Sequence, residues 1–285
     1  MFGCICTTSD LELNTFKQQY SIRSKLGKGS FGVVFSVSSK QDKTRYVAKI
    51  IKHVNCQDVV KTDEEALPIE IWALRKVKGH PGIISYHEHH LISNSYVIIT
   101  EDLHGYTDLY NHIACKGRLS EHKTKTIIKQ VLSALSHCFK HGIDHRDVKE
   151  ENIMYQPIVE RIKLIDFGSS SLTISAPYHY MRGTEYYIPP EFHTRKCYYP
   201  KPAATWAVGC LTYCCLTATT PFLNPSQIIH ETVQWSLLRN VQEECMKFVM
   251  GCLRKKEGER LGFEGLKCHP WLQHTVTALF IRTTL

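Results

Sequence analysis

At 285 residues, with 43% hydrophobic and 22% charged residues, the chain is long enough to bury a large core, and its composition is ordinary for a soluble globular protein. The formal charge of +8 is carried by dispersed Lys and Arg, without the dense basic block or aromatic-interleaved patch that nucleic-acid binding needs. No early segment has the form of a signal peptide, and the longest apolar run, Trp206 to Ala218, is too short to cross a bilayer, so an intracellular, cytoplasmic or nuclear, protein is expected.

Residues 1–19 carry no clear period and are predicted to be a short extension. Cys4 and Cys6 there resemble half a metal clamp, but no second Cys or His pair of suitable spacing follows. Phe2 excludes the usual myristoylation start, and the twelve cysteines, scattered without a secretory signal, are expected to be reduced thiols. From Tyr20 to Ile51 the pattern is β. Ile22 and Leu26 lead into a glycine-rich turn, Val33, Val34, Phe35 and Val37 form a β-branched and aromatic run, and Tyr46 to Ile51 is a further strand.

Ile69, Ile71, Trp72, Leu74 and Val77 recur at helical spacing, with Pro68 placed in the first turn. His87, His89 and His90 fall in a segment that reads as irregular and are expected to be ordinary surface residues. Tyr96 to Thr100 reads as a buried strand. Beyond Asp108 the character is helical, with apolar faces at Ile113, Ile127, Ile128, Val131, Leu132 and Leu135, and further helices at Ala203 to Thr217 and Val241 to Leu253. The expectation is an α+β fold with a small β-rich lobe and a larger helical lobe, joined near Glu101 to Thr107, with a ligand cleft between them.

The chemistry is concentrated in a few short stretches. Gly27-Lys28-Gly29-Ser30-Phe31-Gly32-Val33-Val34 lies between two predicted strands, where glycines let backbone amides approach phosphate oxygens. No helix opens directly after it, which disfavours a dinucleotide-binding turn and suits a hairpin lid over a nucleotide. Lys49 on the next strand can reach phosphates, and Glu70 on the following helix can orient it. His145-Arg146-Asp147-Val148-Lys149-Glu150-Glu151-Asn152 is followed by Asp166-Phe167-Gly168, the spacing that a phosphoryl-transfer site needs. Asp147 can accept a hydroxyl proton and Lys149 can neutralise developing phosphoryl charge. Asn152 and Asp166 are hard oxygen donors suited to Mg2+, and Arg146 invites an anion on the loop that follows.

These motifs, in this order, resemble the protein kinase superfamily over about Tyr20 to Leu272. Pro189-Pro190-Glu191 follows, and Arg260 stands where the family pairs an arginine with that glutamate. Lys149 with Gly183-Thr184 is similar to the serine/threonine branch. Leu67-Pro68-Ile69-Glu70, Ser136-His137-Cys138 and Ile188-Pro189-Pro190-Glu191-Phe192 resemble the PIM group.

The resemblance implies an ATP- and Mg2+-dependent protein serine/threonine kinase, with an N-lobe over 20–100, a hinge over 101–107, a C-lobe over 108–272 and a tail over 273–285. It places nucleotide at Leu26 to Val34, Val47, Lys49, Glu101 and Leu103, metal at Asn152 and Asp166, and protein substrate at Asp108, Glu151 and Thr184. Protein partners with Ser or Thr near basic residues, and a monomer, are expected.

Departures from the pattern are informative. Leu103 replaces the PIM hinge proline and has an amide to donate, Val47 replaces an alanine above adenine, and Thr100 is a small gatekeeper. Ala204 replaces an aspartate that usually braces the catalytic loop, as PIM kinases also do, and Asn111 stands where PIM has a second substrate-facing acid. The hydroxyls of Ser169, Ser170, Ser171, Thr173, Ser175, Tyr178 and Tyr180 are expected to be ordinary loop groups, since the PIM resemblance implies activity without loop phosphorylation; the alternative is that a phosphate there supplies the anion for Arg146. The alternatives are a kinase-fold scaffold without catalysis, which predicts erosion of Lys49, Asp147, Asn152 or Asp166, and a small-molecule phosphotransferase, which the peptide-holding look of Gly183 to Glu191 disfavours.

Overall fold

β-branched and aromatic residues build a five-stranded antiparallel sheet whose strands lie in the order Tyr20–Gly29, Gly32–Ser39, Arg45–Lys52, Ser95–Glu101, Tyr86–Ile92. The structure is a computed structural model and describes residues 15–29, 32–52, 58–62 and 65–273. Cys4, Cys6, Ser30, Phe31 and most of the predicted extension and tail lie outside the described residues, as does the side chain of Lys28. The chain forms two compact units, one of residues 1–109, 133–147 and 151–174, the other of residues 110–132, 148–150 and 175–285.

In the first unit, β1 (Tyr20–Gly29), β2 (Gly32–Ser39) and β3 (Arg45–Lys52) form a meander. Two short strands follow, β4 (Val59–Lys61) and β5 (Ala66–Pro68), and then the helix Ile69–Lys76. Pro68 sits just before that helix as its cap residue, one step earlier than its predicted place inside the first turn, so its missing N–H costs the helix nothing. β6 (Tyr86–Ile92) and β7 (Ser95–Glu101) complete the sheet. The central β7 is buried from Tyr96 to Thr100, as its apolar run predicts. Phe16, Tyr20, Val37, Ala48, Ile92, Val97 and Ile99 pack into the sheet's core.

The histidine-rich segment corrects one expectation. It is the ordered edge strand β6, with His89 opposite Ile98 and His90 opposite Val97. His89 and His90 are half-buried, and His87 stacks on Tyr46 with centroids 4.7 Å apart. Backbone pairing with the apolar β7 overrides the weak β pattern of the histidines themselves. No His, Cys, Asp or Glu cluster fit for a metal occurs among the described residues.

The same unit carries β8 (Thr107–Asp108), β9 (Ile143–Asp144), β10 (Ile153–Gln156), β11 (Arg161–Leu164) and β12 (Ser171–Leu172). β10 lies between β11 and β8, and β12 pairs with β9. These pairings hold the loops on which the candidate site residues sit.

The later part of the chain is helical, from Leu109–Lys116 and Glu121–Lys140 to Glu243–Cys252. Helix Pro200–Thr217 starts three residues before its predicted boundary, because Pro200 occupies the first helical position, where no N–H is needed. It is buried from Ala204 to Leu216. Gly209 allows the helix Glu243–Cys252 to approach, since a Cβ there would stand 2.7 Å from Cys252 Cβ. Trp206 stacks on Phe222 at 5.6 Å. Glu191 and Arg260 form a buried two-pronged ion pair, both contacts 2.8 Å, and Arg260 also donates to the Pro202 carbonyl.

The cysteines of the described residues are free thiols. No helix among these residues is long and apolar enough to cross a membrane.

Candidate active site

The glycine turn joins β1 to β2 as a hairpin, with Gly27 opposite Val34 and Gly29 opposite Gly32. Gly32 is required there by space alone, because a Cβ would lie 2.2 Å from the Ile50 carbonyl oxygen. Leu26 is exposed, and Val33 and Val34 are half-buried.

β2 pairs with β3 so that Val34 lies opposite Lys49. The Lys49 ammonium donates to Glu70 Oε1 at 2.7 Å and to Asp166 Oδ1 at 2.9 Å. Three residues far apart in sequence therefore meet at one nitrogen. Burial alone would depress the lysine, but the carboxylates of Glu70 and Asp166 outweigh it and hold Lys49 above its ordinary range. Burial likewise opposes ionisation of Asp166, and the Lys49 ammonium beside it wins, leaving that carboxyl below its usual value.

Asp166 takes a left-handed backbone, φ 59°, and its carboxylate accepts the Gly168 amide at 3.2 Å. Such a conformation is uncommon for a non-glycine residue and persists where its surroundings fix it. His145 holds the residues on either side of Asp166. Its Nε2 donates to the Ile165 carbonyl at 3.0 Å, its Nδ1 accepts the Asp147 amide at 3.3 Å, and its ring packs edge-on against buried Phe167. These partners assign the neutral tautomer with the proton on Nε2. The role of His145 was not foreseen in the sequence.

Asn152 Nδ2 donates to both the carbonyl and Oδ2 of Asp147, each at 2.8 Å. That orientation commits the nitrogen to Asp147 and makes Oδ1 the amide atom suited to a cation. The Ile165 amide donates to the Asn152 carbonyl at 2.9 Å, joining the strand that leads to Asp166 to the turn that carries Asn152. Asp147 and Asn152 are both buried. Asn152 and Asp166 offer hard oxygens, the donor type that Mg2+ prefers.

Three further partners have no signal in the sequence. The Glu101 carboxylate accepts the Ser85 amide at 2.7 Å and the Lys163 ammonium at 2.6 Å, which ties the predicted hinge to β11. Arg146, φ 64°, donates to the Ser171 hydroxyl at 2.7 Å. Ser169, Ser170, Ser171 and Tyr178 are buried, whereas Ser175 and Tyr180 are exposed. Leu103 is half-buried and its carbonyl accepts Tyr106 N–H at 3.0 Å, while Val47 lies opposite Thr100 across β3 and β7. Asp108 is half-buried opposite Met154, and Glu151 is exposed.

The second unit holds Lys149 and Thr184. The Lys149 ammonium donates to Thr184 Oγ1 at 2.6 Å. Adjacent Glu150 is buried and accepts the Tyr187 hydroxyl. Ala204, on the buried helix, brings only a methyl group.

Residues 20–272 match the family described as the protein kinase domain. The chain is 30% identical over 270 residues to serine/threonine-protein kinase pim-2 of Danio rerio, covering 91% of this chain and 86% of that one. It is 28% identical over 260 residues to serine/threonine-protein kinase prk-2 of Caenorhabditis elegans, covering 90% of this chain and 59% of that one. It is 29% identical over 259 residues to serine/threonine-protein kinase PSK1 of Saccharomyces cerevisiae, and spans 19% of that protein.

Proposed function

Because the chain belongs to the protein kinase domain family, on its serine/threonine, PIM-like side, we propose that it transfers the γ-phosphate of ATP to serine or threonine hydroxyls of proteins with upstream arginine. The observation that carries this reading is the meeting of Glu70 and Asp166 at the Lys49 ammonium, 2.7 and 2.9 Å away. A scaffold that had lost catalysis would have no need to keep that arrangement beside an intact Asp147–Asn152 pair.

In this reading the glycine hairpin, from Leu26 to Val34, covers the nucleotide phosphates, and Val47 and the Glu101–Leu103 segment hold the base. Lys49, oriented by Glu70, neutralises phosphate oxygens. Asn152 and Asp166 would hold Mg2+, which would offset the negative charge of the phosphates. Asp147, fixed by Asn152, orients the acceptor hydroxyl and takes its proton. Lys149, anchored on Thr184, offsets charge on the transferred group. Lys49→Met is expected to lower kcat about 100- to 1,000-fold, the usual loss when one preorganised electrostatic group is removed. Rates of transfer from labelled ATP check this, and a loss under about tenfold would count against the role.

Asp108 and Glu151 are assigned to the substrate's arginine, whose planar fork suits a carboxylate better than lysine does. A serine peptide with arginine three residues upstream is expected to exceed its arginine-free counterpart in kcat/KM by about tenfold or more, the worth of one charge-assisted hydrogen bond. Equal turnover of the two peptides overturns the assignment. Arg146, already engaged by Ser171, supports activity without a phosphate on the following loop.

A further inference from the structure

The buried carboxylate of Glu150 has no part in the roles assigned above, yet it lies next to Lys149 in the chain. It accepts the Tyr187 hydroxyl, and the same hydroxyl lies 3.6 Å from Cys214 Sγ on helix Pro200–Thr217. Thr184 and Tyr187 sit at the two ends of one turn, closed by the Tyr187 amide donating to the Thr184 carbonyl at 3.0 Å. Lys149 holds the Thr184 end at 2.6 Å and Glu150 holds the Tyr187 end. Two consecutive loop residues thus grip both ends of one turn, and a turn gripped at both ends cannot rotate about either contact.

We propose that Glu150 and Tyr187 are a positioning pair, which fixes the turn 184–187 against the loop and so sets where Lys149 and Thr184 meet the acceptor hydroxyl. The proposal rests on the kinase reading above. A buried polar pair is a poor device for stability alone, because apolar residues of the same volume serve as well or better. Its particular property is direction. One O–H aimed at one carboxylate oxygen fixes a separation that apolar packing does not. Burial, reinforced by Cys214 and Glu150, holds the Tyr187 hydroxyl well above its ordinary pKa, so it remains a donor throughout the neutral range.

The test compares Tyr187→Phe, Glu150→Ala and Glu150→Gln with wild type, measuring kcat, KM for peptide, KM for ATP and Tm. Tyr187→Phe and Glu150→Ala are expected to lower kcat/KM for peptide about 10- to 100-fold, the cost of stranding a buried polar group, with KM for ATP within about twofold. Glu150→Gln, whose amide oxygen can still accept, is expected to recover most of the activity lost in Glu150→Ala. Wild-type kcat/KM in Tyr187→Phe overturns the proposal, as does a fall in Tm with kcat per folded enzyme unchanged. If Tyr187→Phe does not fold, the two Glu150 variants decide, and equal activity in them overturns it. Absence of transfer by the wild type would instead refute the kinase reading, and the pair's role with it.

Discussion

Asp147→Asn is expected to lower serine-peptide turnover about a thousandfold while leaving nucleotide affinity within about threefold, the pattern for loss of a positioned proton acceptor. Asp147 is 7% exposed, its Oδ2 and its carbonyl both accept from Asn152, and its amide donates to His145. The side chain is therefore preset, and little reorganisation is left for the moment of reaction. Asparagine keeps the size and can still accept from Asn152, so the fold is retained. What it loses is the carboxylate that takes the proton. Single-turnover transfer rates beside equilibrium nucleotide titration separate the two effects, and unchanged turnover would remove Asp147 from the role of base.

Arg260→Met is expected to destabilise the protein by about 3–5 kcal/mol, the usual cost of removing one partner from a buried ion pair. The side chains of Arg260 and Glu191 are 1% and 3% exposed, so the remaining carboxylate would be left without water or a cation. The Pro202 and Arg254 carbonyls lose donors at 2.9 and 3.2 Å in the same step. The loss is readable as a shift of the urea midpoint. Arg260→Met combined with Glu191→Leu is expected to be less damaging than Arg260→Met alone, because no buried charge is then stranded. A single-variant loss below about 1 kcal/mol, the level of an exposed pair, would contradict this account.

Glu191 lies directly after Pro189-Pro190, in the segment that also carries Thr184 and Tyr187. The Arg260 anchor and the Tyr187 hydroxyl therefore hold neighbouring stretches of one chain segment. Their variants should differ in kind. Loss of Arg260 should show chiefly in stability, and loss of the Tyr187 hydroxyl chiefly in peptide turnover.

What the sequence made legible follows physical rules of range. Lys49, Glu70, Asp147, Asn152 and Asp166 stand in short stretches whose order and spacing are chemical requirements, so they could be picked out before any fold was known. The apolar run of β7 and the buried helix around Trp206 were legible because burial needs a period or a run. The edge strand β6 was not, since its order comes from pairing with β7 and its own residues alternate poorly. β8, β9 and β12 are two residues long and have no window in which a period can show.

Side-chain pairing was the least legible layer. The ion pair of Glu101 with Lys163, 62 residues away, has no local signal. Arg146 invites an anion by its place beside Asp147, but its hydrogen bond to the Ser171 hydroxyl, 25 residues away, has no sequence signal. The glutamate–tyrosine contact joins residues 37 apart, and the chemistry of the Asp147 stretch assigns Glu150 no role of its own. Contacts of this kind depend on how elements pack, which no local pattern encodes.

The most direct measurement is transfer of the labelled γ-phosphate of ATP to a serine peptide with arginine three residues upstream, run beside Asp147→Asn. Mg2+-dependent transfer by the wild type and about a thousandfold less by the variant are expected, with nucleotide bound by both. Nucleotide binding by the wild type without transfer, or transfer that Asp147→Asn leaves intact, would contradict this mechanism.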